Sequence, residues 1–391
     1  MSETILLPQK DRSFKRYQLL ADPIALTPAL EPVEFNRTVY AAAHVVIDPL
    51  SNPDPFDSSP VVDWDQTLAF REHLYKLGFK VAEAMDTAQR GMGVDWPVAK
   101  ELIQRSIRHA KTISGAELAC GVGTDQLLPT SLTTLKDVEQ AYREQLAVVQ
   151  HEGGSAILMA SRALAACAKS PQDYQDLYGR LIQDCDRPVV LHWLGEMFDP
   201  ALKGYWGTED VGAAIETVVS LINTNSSKVE GIKVSLLEPK WEIALRRKLP
   251  ATVKMYTGDD FNYADLIAGD EQGYSHGLLG VFDPIANVAS VALRELSRGN
   301  KSRYHELLDP TVELSREIFK SPTRHYKAGV VFMAWLNGHQ DHFAMAGGAQ
   351  ASRDITHYAR IFELADACRA LSNPDVAVRR MQHLIALHCG S

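Results

Sequence analysis

The chain alternates short apolar runs with longer amphipathic segments along most of its length. Residues 65–77, for example, place Leu68, Phe70, Leu74 and Leu77 near one face of a helix. The short apolar runs between such segments are typical of strands that are buried in a parallel sheet. Eight of these runs are predicted to be strands: residues 38–47, 80–85, 116–120, 155–159, 188–193, 229–237, 251–257 and 277–282.

Eight strand–helix alternations within about 250 residues predict a parallel α/β barrel of the (β/α)8 TIM type rather than an open sheet. We expect three parts: an N-terminal arm (residues 1–37), the barrel (38–288) and a C-terminal helical extension (289–391). The extension contains helical stretches at residues 327–336 and 358–371. In such barrels the catalytic groups lie at the C-terminal ends of the strands, so the strand ends supply the candidate site residues.

Composition narrows the class of protein. The 391 residues are 46% hydrophobic, enough for a large core, and the formal net charge of −9 argues against nucleic acid or an anionic membrane as a partner. The first fifteen residues lack the apolar core of a signal peptide, and no uninterrupted apolar run of about 18 residues occurs. We therefore expect a cytoplasmic protein. The cysteines are scattered without CxxC spacing, which fits a reducing compartment: Cys120, Cys167, Cys185, Cys368 and Cys389.

The most unusual polar residue of the predicted strands is Lys233, in the run of residues 229–237. Alternation places Lys233 between Gly231 and Ser235 on one face of the strand, with apolar side chains on the other. An ammonium group is costly to bury, so such a lysine is paired or is kept for its chemistry. Desolvation lowers the pKa of lysine, and the neutral amine can attack a carbonyl group to form a Schiff base.

Other polar residues at the strand ends complete the candidate set, and each has a plainer structural reading. Lys233 could pair with Glu83 or Asp86, and His192 could be a hydrogen-bonded core histidine. Lys254 is a rival nucleophile on the seventh strand. Asp259 and Asp260 follow a glycine at a strand end and are expected to cap the next helix.

The order of several motifs resembles the dihydrodipicolinate synthase / N-acetylneuraminate lyase superfamily of Schiff-base barrels. The resemblance spans residues 38–365, and it implies that Lys233 is the Schiff-base lysine of the sixth strand. Five motifs carry it: Gly231-Ile232-Lys233, Gly121-Val122-Gly123-Thr124, Gly258-Asp259-Asp260, Ala286-Asn287-Val288, and Lys327-Ala328-Gly329 followed by Leu336-Asn337-Gly338.

Departures from the family pattern bear on the substrate. At the position of the family's carboxylate-binding motif after strand two stands Met85-Asp86-Thr87-Ala88-Gln89, in which Asp86 would repel a substrate carboxylate. His192 stands at the position of the strand-five tyrosine that relays protons, and imidazole can do acid–base work near neutral pH. The tyrosine pair after strand four has no counterpart in residues 159–164. A keto-sugar derivative therefore suits this chain better than pyruvate does.

These observations predict a Schiff-base-forming lyase, of the aldolase or dehydratase type, that acts on a small oxo substrate without a cofactor or metal. Lys233 and His192 are the predicted catalytic residues. The predicted substrate contacts are Asp86, Thr87, Gly123, Thr124, Tyr256 and Gly258. The resemblance also implies a homo-oligomer, a dimer or a tetramer.

Two alternatives stay open at the level of sequence. A metal-dependent sugar isomerase or lyase would use Glu83, Asp86, His192 and Asp259 as ligands of a divalent metal. A barrel that binds a sugar without turnover would keep the fold and lack the chemistry.

Overall fold

A computed structural model of the protein describes residues 4–19, 34–51, 54, 59–130 and 132–390. Its centre is a closed barrel of eight parallel strands in the order β10-β3-β4-β5-β6-β7-β8-β9. The predicted (β/α)8 fold with additional C-terminal helices is confirmed. The barrel strands are β3 (Val39–Ala42), β4 (Lys80–Glu83), β5 (Leu118–Val122), β6 (Ser155–Leu158), β7 (Val189–Leu194), β8 (Val229–Ser235), β9 (Lys254–Thr257) and β10 (His276–Leu279).

Each predicted run overlaps one strand, and the largest difference is in the first. The prediction extended this strand to Ile47, but β3 ends at Ala42. Beyond it, the amide of His44 donates to the carboxylate of Asp283 at 2.8 Å instead of continuing the ladder. Ile47 then forms an isolated antiparallel bridge with Val62. The chain therefore turns outward at the C-terminal rim earlier than its apolar character suggests.

Alternation along the strands separates the barrel interior from the layer under the helices. The interior holds a small cluster of side chains: Tyr40, Ala42, Ala82, Met85, Ala119, Ile157, Met159, Val190, Tyr256 and Leu278. On β8, Ile232 and Val234 pack outward in the core beneath the helices. Lys233 and Ser235 belong to the opposite, interior face, as strand alternation predicts.

Helices surround the barrel, and the helices of the C-terminal extension pack outside it as a further layer. They are α1 (Trp64–Lys76), α2 (Trp96–Ala110), α3 (Leu135–His151), α4 (Arg162–Cys167), α5 (Pro171–Asp184), α6 (Val211–Thr224), α7 (Pro239–Arg246), α8 (Tyr263–Ala268), α9 (Ala286–Ser297), α10 (Lys301–Ile318), α11 (Tyr326–Leu336), α12 (Ile355–Ala367) and α13 (Pro374–Cys389). Two of them begin with capping boxes, which satisfy the free amides of the first turn: Thr134 with Asp137, and Ser170 with Asp173. None of the helices in the described ranges is long and apolar enough to cross a membrane.

The N-terminal residues 4–18 form an antiparallel hairpin of β1 (Thr4–Pro8) and β2 (Phe14–Gln18). The hairpin packs on the C-terminal helices, where the hydroxyl of Tyr17 donates to Asp366 at 2.8 Å and Lys15 pairs with Glu363 at 2.9 Å. Residues 1–3 and 20–33 of the predicted arm lie outside the described residues. One hydrophobic cluster joins the hairpin, the outer face of the barrel and the C-terminal helices. The division into three parts stays a prediction.

Among the added helices, α11 contacts the C-terminal ends of the barrel strands. All eleven of its residues are buried. Its first residue, Tyr326, places its hydroxyl 2.9 Å from Oγ1 of Thr87, in the turn that follows β4. The C-terminal extension thus contributes side chains to the region where the strands end.

Candidate active site

Lys233 lies in the barrel interior near the end of β8, and its side chain is almost enclosed. The residue is 8% exposed, and within the described ranges its amine forms neither a hydrogen bond nor an ion pair. Burial lowers the pKa of Lys233, and the carboxylates of Asp260 and Asp86 partly oppose that shift. A lysine with this combination of burial and lowered pKa has a larger fraction of nucleophilic neutral amine than an exposed one.

Gly258 forms the wall against which the lysine lies. Its amide donates to the carbonyl of Val234 at 2.8 Å, which extends the pairing of β8 and β9. A Cβ atom on Gly258 would stand 2.7 Å from Cε of Lys233. Gly258, one of the predicted substrate contacts, therefore contributes to the site by leaving space for the side chain of Lys233.

Asp260 is the carboxylate that most strongly influences Lys233. It is 4% exposed, and its Oδ1 accepts a hydrogen bond from the amide of Val281 at 3.0 Å. Burial raises the pKa of Asp260 to about 7, against the opposing effect of the lysine. The neighbouring Asp259 holds the turn before α8, because its carboxylate accepts the amides of Phe261 and Asn262. Neither aspartate caps α8 as expected, since no side chain caps that helix. Asp260 is therefore a site residue that the capping interpretation missed.

His192 is the register partner of Lys233 on the adjacent strand β7. It is 1% exposed; its Nε2 lies 3.3 Å from Oγ of Ser235, and its Nδ1 has no partner among the described residues. Burial, and then the charge of Lys233, hold the pKa of His192 well below its ordinary value. The imidazole is consequently neutral near pH 7, although it lies beside Lys233 on the adjacent strand.

Asp86 and Thr87 lie in the turn after β4, close to the first residue of α11. Asp86 is half-buried, and its charge acts on Lys233 and on the second residue of α11, Lys327. Thr87 is buried and hydrogen-bonded to Tyr326. A Cβ atom on Gly280, at the end of β10, would lie 3.2 Å from Thr87 Oγ1 and 3.3 Å from Tyr326 Cε2. The strand ends and α11 thus enclose one polar region.

Gly123 and Thr124 are occupied by hydrogen bonds within the protein. The amide of Gly123 donates to Oε1 of Gln145 at 2.6 Å, and Oγ1 of Thr124 lies 2.6 Å from Oγ of Ser161. Arg90 holds the same turn, since it donates to the carbonyl of Gly121 at 2.6 Å. These contacts argue against the predicted role of Gly123 and Thr124 in binding substrate and indicate that they shape the rim of the barrel.

Tyr256 and Lys254 are directed toward the opposite end of the barrel. The hydroxyl of Tyr256 donates to Glu230 at 2.7 Å, and Lys254 pairs with the same carboxylate at 3.2 Å. Because Glu230 and Lys254 stand at the beginnings of their strands, this pair is remote from the catalytic end. The structure therefore argues against the predicted substrate contact of Tyr256 and against Lys254 as the nucleophile.

The proposed metal ligands do not come together. Glu83 accepts two hydrogen bonds from the guanidinium of Arg71 in α1, both at 2.9 Å, and both residues are buried. Glu83 is the last residue of β4 and follows the interior residue Ala82, so its side chain lies on the outer face. Over the described ranges, no three His, Cys, Asp or Glu residues are arranged to hold a metal ion. The arrangement of Glu83, Asp86, His192 and Asp259 as a metal site is thus corrected.

The sequence family of the chain follows from a match over nearly all of its length. Residues 5–389 match the family described as "Protein of unknown function (DUF993)". The chain belongs to the DUF993 family. No curated protein matches it significantly.

Solved structures of the dihydrodipicolinate synthase family share the fold of this DUF993 protein. Dihydrodipicolinate synthase from Aquifex aeolicus superposes with a TM-score of 0.64 at 11% identity, over 86% of this chain and 99% of that one. YagE, a prophage protein of the same family from E. coli K12 in complex with pyruvate, gives 0.64 at 13% identity, over 86% and 99%. A monomeric dihydrodipicolinate synthase variant gives 0.59 at 13% identity, over 87% and 100%. At these identities, the likeness shows the fold alone.

Besides Asp260, Tyr326 and Lys327 of this DUF993 protein lie beside the candidate site, and the sequence did not predict them there. Lys327 stands in the Lys-Ala-Gly motif that was interpreted only as part of a helix. Both residues precede a long apolar stretch of sequence. A lysine directly before such a stretch could have indicated a buried cation at the start of a buried helix. The hydrogen bond between Tyr326 and Thr87 joins residues far apart in sequence, so no local pattern could have indicated it.

Proposed function

We propose that the protein is a Schiff-base-forming lyase, of the aldolase or dehydratase type, with Lys233 as the nucleophile. The observation that carries the proposal is the burial of an unpaired lysine of lowered pKa in the interior of the barrel near the C-terminal end of a strand. A structural lysine in this position would be expected to have a carboxylate within ion-pair distance. The shared fold with Schiff-base-forming enzymes agrees with this chemistry.

The first step requires a proton acceptor and a proton donor next to the amine. The neutral amine of Lys233 attacks the carbonyl carbon, the C=O electron pair moves to oxygen, and proton transfer from nitrogen to oxygen gives a carbinolamine. Loss of the hydroxyl group as water then requires one further proton and leaves a protonated iminium. Asp260, with a pKa of about 7, is suited to donate that proton and to take it back on hydrolysis.

His192 has a different role from the one that the sequence suggested. Its lowered pKa means that it does not carry a proton for transfer near pH 7, and a positively charged iminium on Lys233 would disfavour protonation further. We assign it as a positioning residue that holds Ser235 and hydrogen-bonds the substrate as a neutral imidazole. We assign acid–base catalysis to Asp260 instead.

The substrate is proposed to be a small keto-sugar derivative. Asp86 is the half-buried acceptor at this end of the barrel, and a carboxylate pairs well with hydroxyl groups. It would repel a carboxylate bound directly next to the carbonyl carbon, which is the arrangement in pyruvate. Thr87 lies in the same region, and its hydroxyl group is hydrogen-bonded to that of Tyr326.

Reductive trapping tests the proposal. With dihydroxyacetone and borohydride, the intact protein should gain the mass of one reduced adduct, and Lys233→Met should gain none. Lys254→Met, which removes a partly buried lysine at the other end of the barrel, is the matched control and should be trapped like the wild type. Binding of the ketone without any adduct would favour a non-catalytic sugar-binding barrel. The cytoplasmic location and the homo-oligomer stay predictions, and light scattering tests the second.

A further inference from the structure

The first turn of α11 contains a buried cation that the proposed chemistry does not use. Lys327 is 5% exposed, and its Nζ donates to the carbonyl of Arg324 at 3.3 Å. Its other near neighbours are Sδ of Met92 at 3.4 Å and the ring of Tyr326, whose centroid is 4.7 Å away. An ammonium group has three N–H donors, and a single carbonyl oxygen, a thioether and a ring face leave it poorly satisfied.

The charge of Lys327 is not neutralised by a direct ion pair within the described part of the chain. Burial lowers its pKa to about 8, so the cation still predominates at neutral pH. The charges that act on it are Asp86 and Asp199, which favour the cation, and Arg162, which disfavours it. Asp199 is itself bound by the guanidinium of Arg162.

The position of Lys327 in the helix adds a second unfavourable feature. It is the second residue of α11, where the positive end of the helix disfavours a cation. No side chain caps the start of this helix, although its whole first turn is buried. The lysine side chain runs back toward that end, as its bond to Arg324 shows. The backbone before the helix caps part of the first turn, since the amide of Tyr326 donates to the carbonyl of Thr323. The amine therefore lies at the positive end of α11, and an anion bound beside it would be stabilised both by its charge and by the helix dipole.

This location also belongs to the candidate active site. Asp86 acts on both Lys327 and Lys233, and the residue before Lys327 is bonded to Thr87. We infer that Lys327, at the start of α11, binds an anionic group, carboxylate or phosphate, of the oxo substrate. The part concerning the carbonyl group rests on the proposed function. Because Asp86 disfavours an anion adjacent to the carbonyl carbon, the substrate class is a keto-sugar acid or keto-sugar phosphate whose anion is separated from the carbonyl group.

Matched ligand pairs test this inference by calorimetry. Dihydroxyacetone phosphate is compared with dihydroxyacetone, and 4-oxopentanoate is compared with 2-pentanone, so that each pair isolates one anionic group. The wild type should bind the anionic member of at least one pair about tenfold more tightly, as expected for a hydrogen bond to a charged group. The pair that shows the preference identifies phosphate or carboxylate. No preference in either pair would overturn the inference.

Variants then assign the preference to Lys327. Lys327→Met should abolish it, Lys327→Arg should keep most of it, and Lys248→Met, which removes an exposed lysine paired with Glu216, should leave it unchanged. An unaltered preference in Lys327→Met would also overturn the inference. Removal of an unpaired buried charge should not unfold the chain, and a denaturant curve checks this.

Trapping of dihydroxyacetone by the same variants separates the two proposals. Adduct formation at Lys233 without an anion preference retains the Schiff base and rejects the anion site. An anion preference that depends on Lys327, in a protein that forms no adduct, retains the anion site and rejects the Schiff base.

Discussion

A Cβ atom on Gly258 would stand 2.7 Å from Cε of Lys233, so the position of the lysine depends on the absence of a side chain one strand away. The same atom would also overlap Oγ of Ser235 and stand 2.8 Å from the carbonyl oxygen of Val234, so Gly258→Ala should displace both the lysine and the serine side chains. We expect loss of reductive trapping at Lys233, with a destabilisation of about 1–3 kcal/mol from overpacking. Trapping by mass spectrometry and a denaturant curve measure the two effects.

A control for this change is available in the same fold. Gly179 lies in α5 with nothing within 4 Å of its hypothetical Cβ atom, so Gly179→Ala should leave trapping intact. Retention of full trapping by Gly258→Ala would show that the lysine is not confined as described.

Asp260→Asn tests the assignment of the proton donor. An amide of the same shape cannot supply the proton for loss of water, so the rate of dihydroxyacetone trapping should fall about 10²- to 10⁴-fold. In the wild type, this rate should decline as the pH rises through about 7, where Asp260 loses its proton. The decline should be absent from the residual rate of the variant. An unchanged pH–rate profile in Asp260→Asn would assign the proton donor elsewhere.

The same carboxyl group should affect stability in a defined direction. Its pKa is raised in the folded protein, from an unfolded value near 4 to about 7, so the folded state holds the proton more tightly. The stabilisation is fully present below about pH 4 and is lost as the pH rises through about 7. Asp260→Asn should therefore flatten the pH dependence of the free energy of unfolding between those values, as measured in urea. A curve that keeps the wild-type slope would contradict the assignment.

How far the site can be predicted from sequence is clear at Lys233 and Tyr256. Strand alternation separated Lys233 from the apolar side chains of its strand, because the period of two fixes the face. The structure places Lys233 and Tyr256 in the barrel interior. Alternation does not fix the end of the barrel toward which a long side chain extends. Lys233 stays near the catalytic end, whereas Tyr256 reaches back to Glu230, and only the packing around Gly231 and Tyr40 decides this.

Residues from turns and from the C-terminal helices were harder to predict. Asp259 and Asp260 are adjacent, chemically identical and both buried, and the conformation of one turn decides which of them acts on the charge of Lys233. The barrel itself was predictable, because eight buried parallel strands produce eight apolar runs. The contribution of Tyr326 and Lys327 depends on where α11 packs, which no local pattern specifies.

His192→Gln separates a positioning role from proton transfer. Because burial keeps the pKa of His192 well below its ordinary value, the imidazole should stay neutral near pH 7. The variant should therefore trap dihydroxyacetone about tenfold more slowly, as expected for loss of one hydrogen bond, with an unchanged pH profile. The disappearance of one limb of the profile would make His192 the proton-transfer group after all.

Arg71→Met tests the structural reading of Glu83. Removal of the guanidinium leaves a buried carboxylate without its partner, which should cost about 3–5 kcal/mol of unfolding free energy. Lys76→Met removes an exposed lysine of the same helix, paired with Glu72 at 3.5 Å, and should change stability by less than about 1 kcal/mol. A small effect of Arg71→Met would reopen another role for Glu83.

The most direct test of the central claim is peptide-level localisation of the trapped adduct. After reduction with borohydride in the presence of dihydroxyacetone, proteolysis and tandem mass spectrometry should find the added mass on Lys233. Lys254 and Lys327 should be unmodified. An adduct on another lysine, or none with any oxo compound under conditions in which the ketone binds, would contradict a Schiff-base mechanism at Lys233.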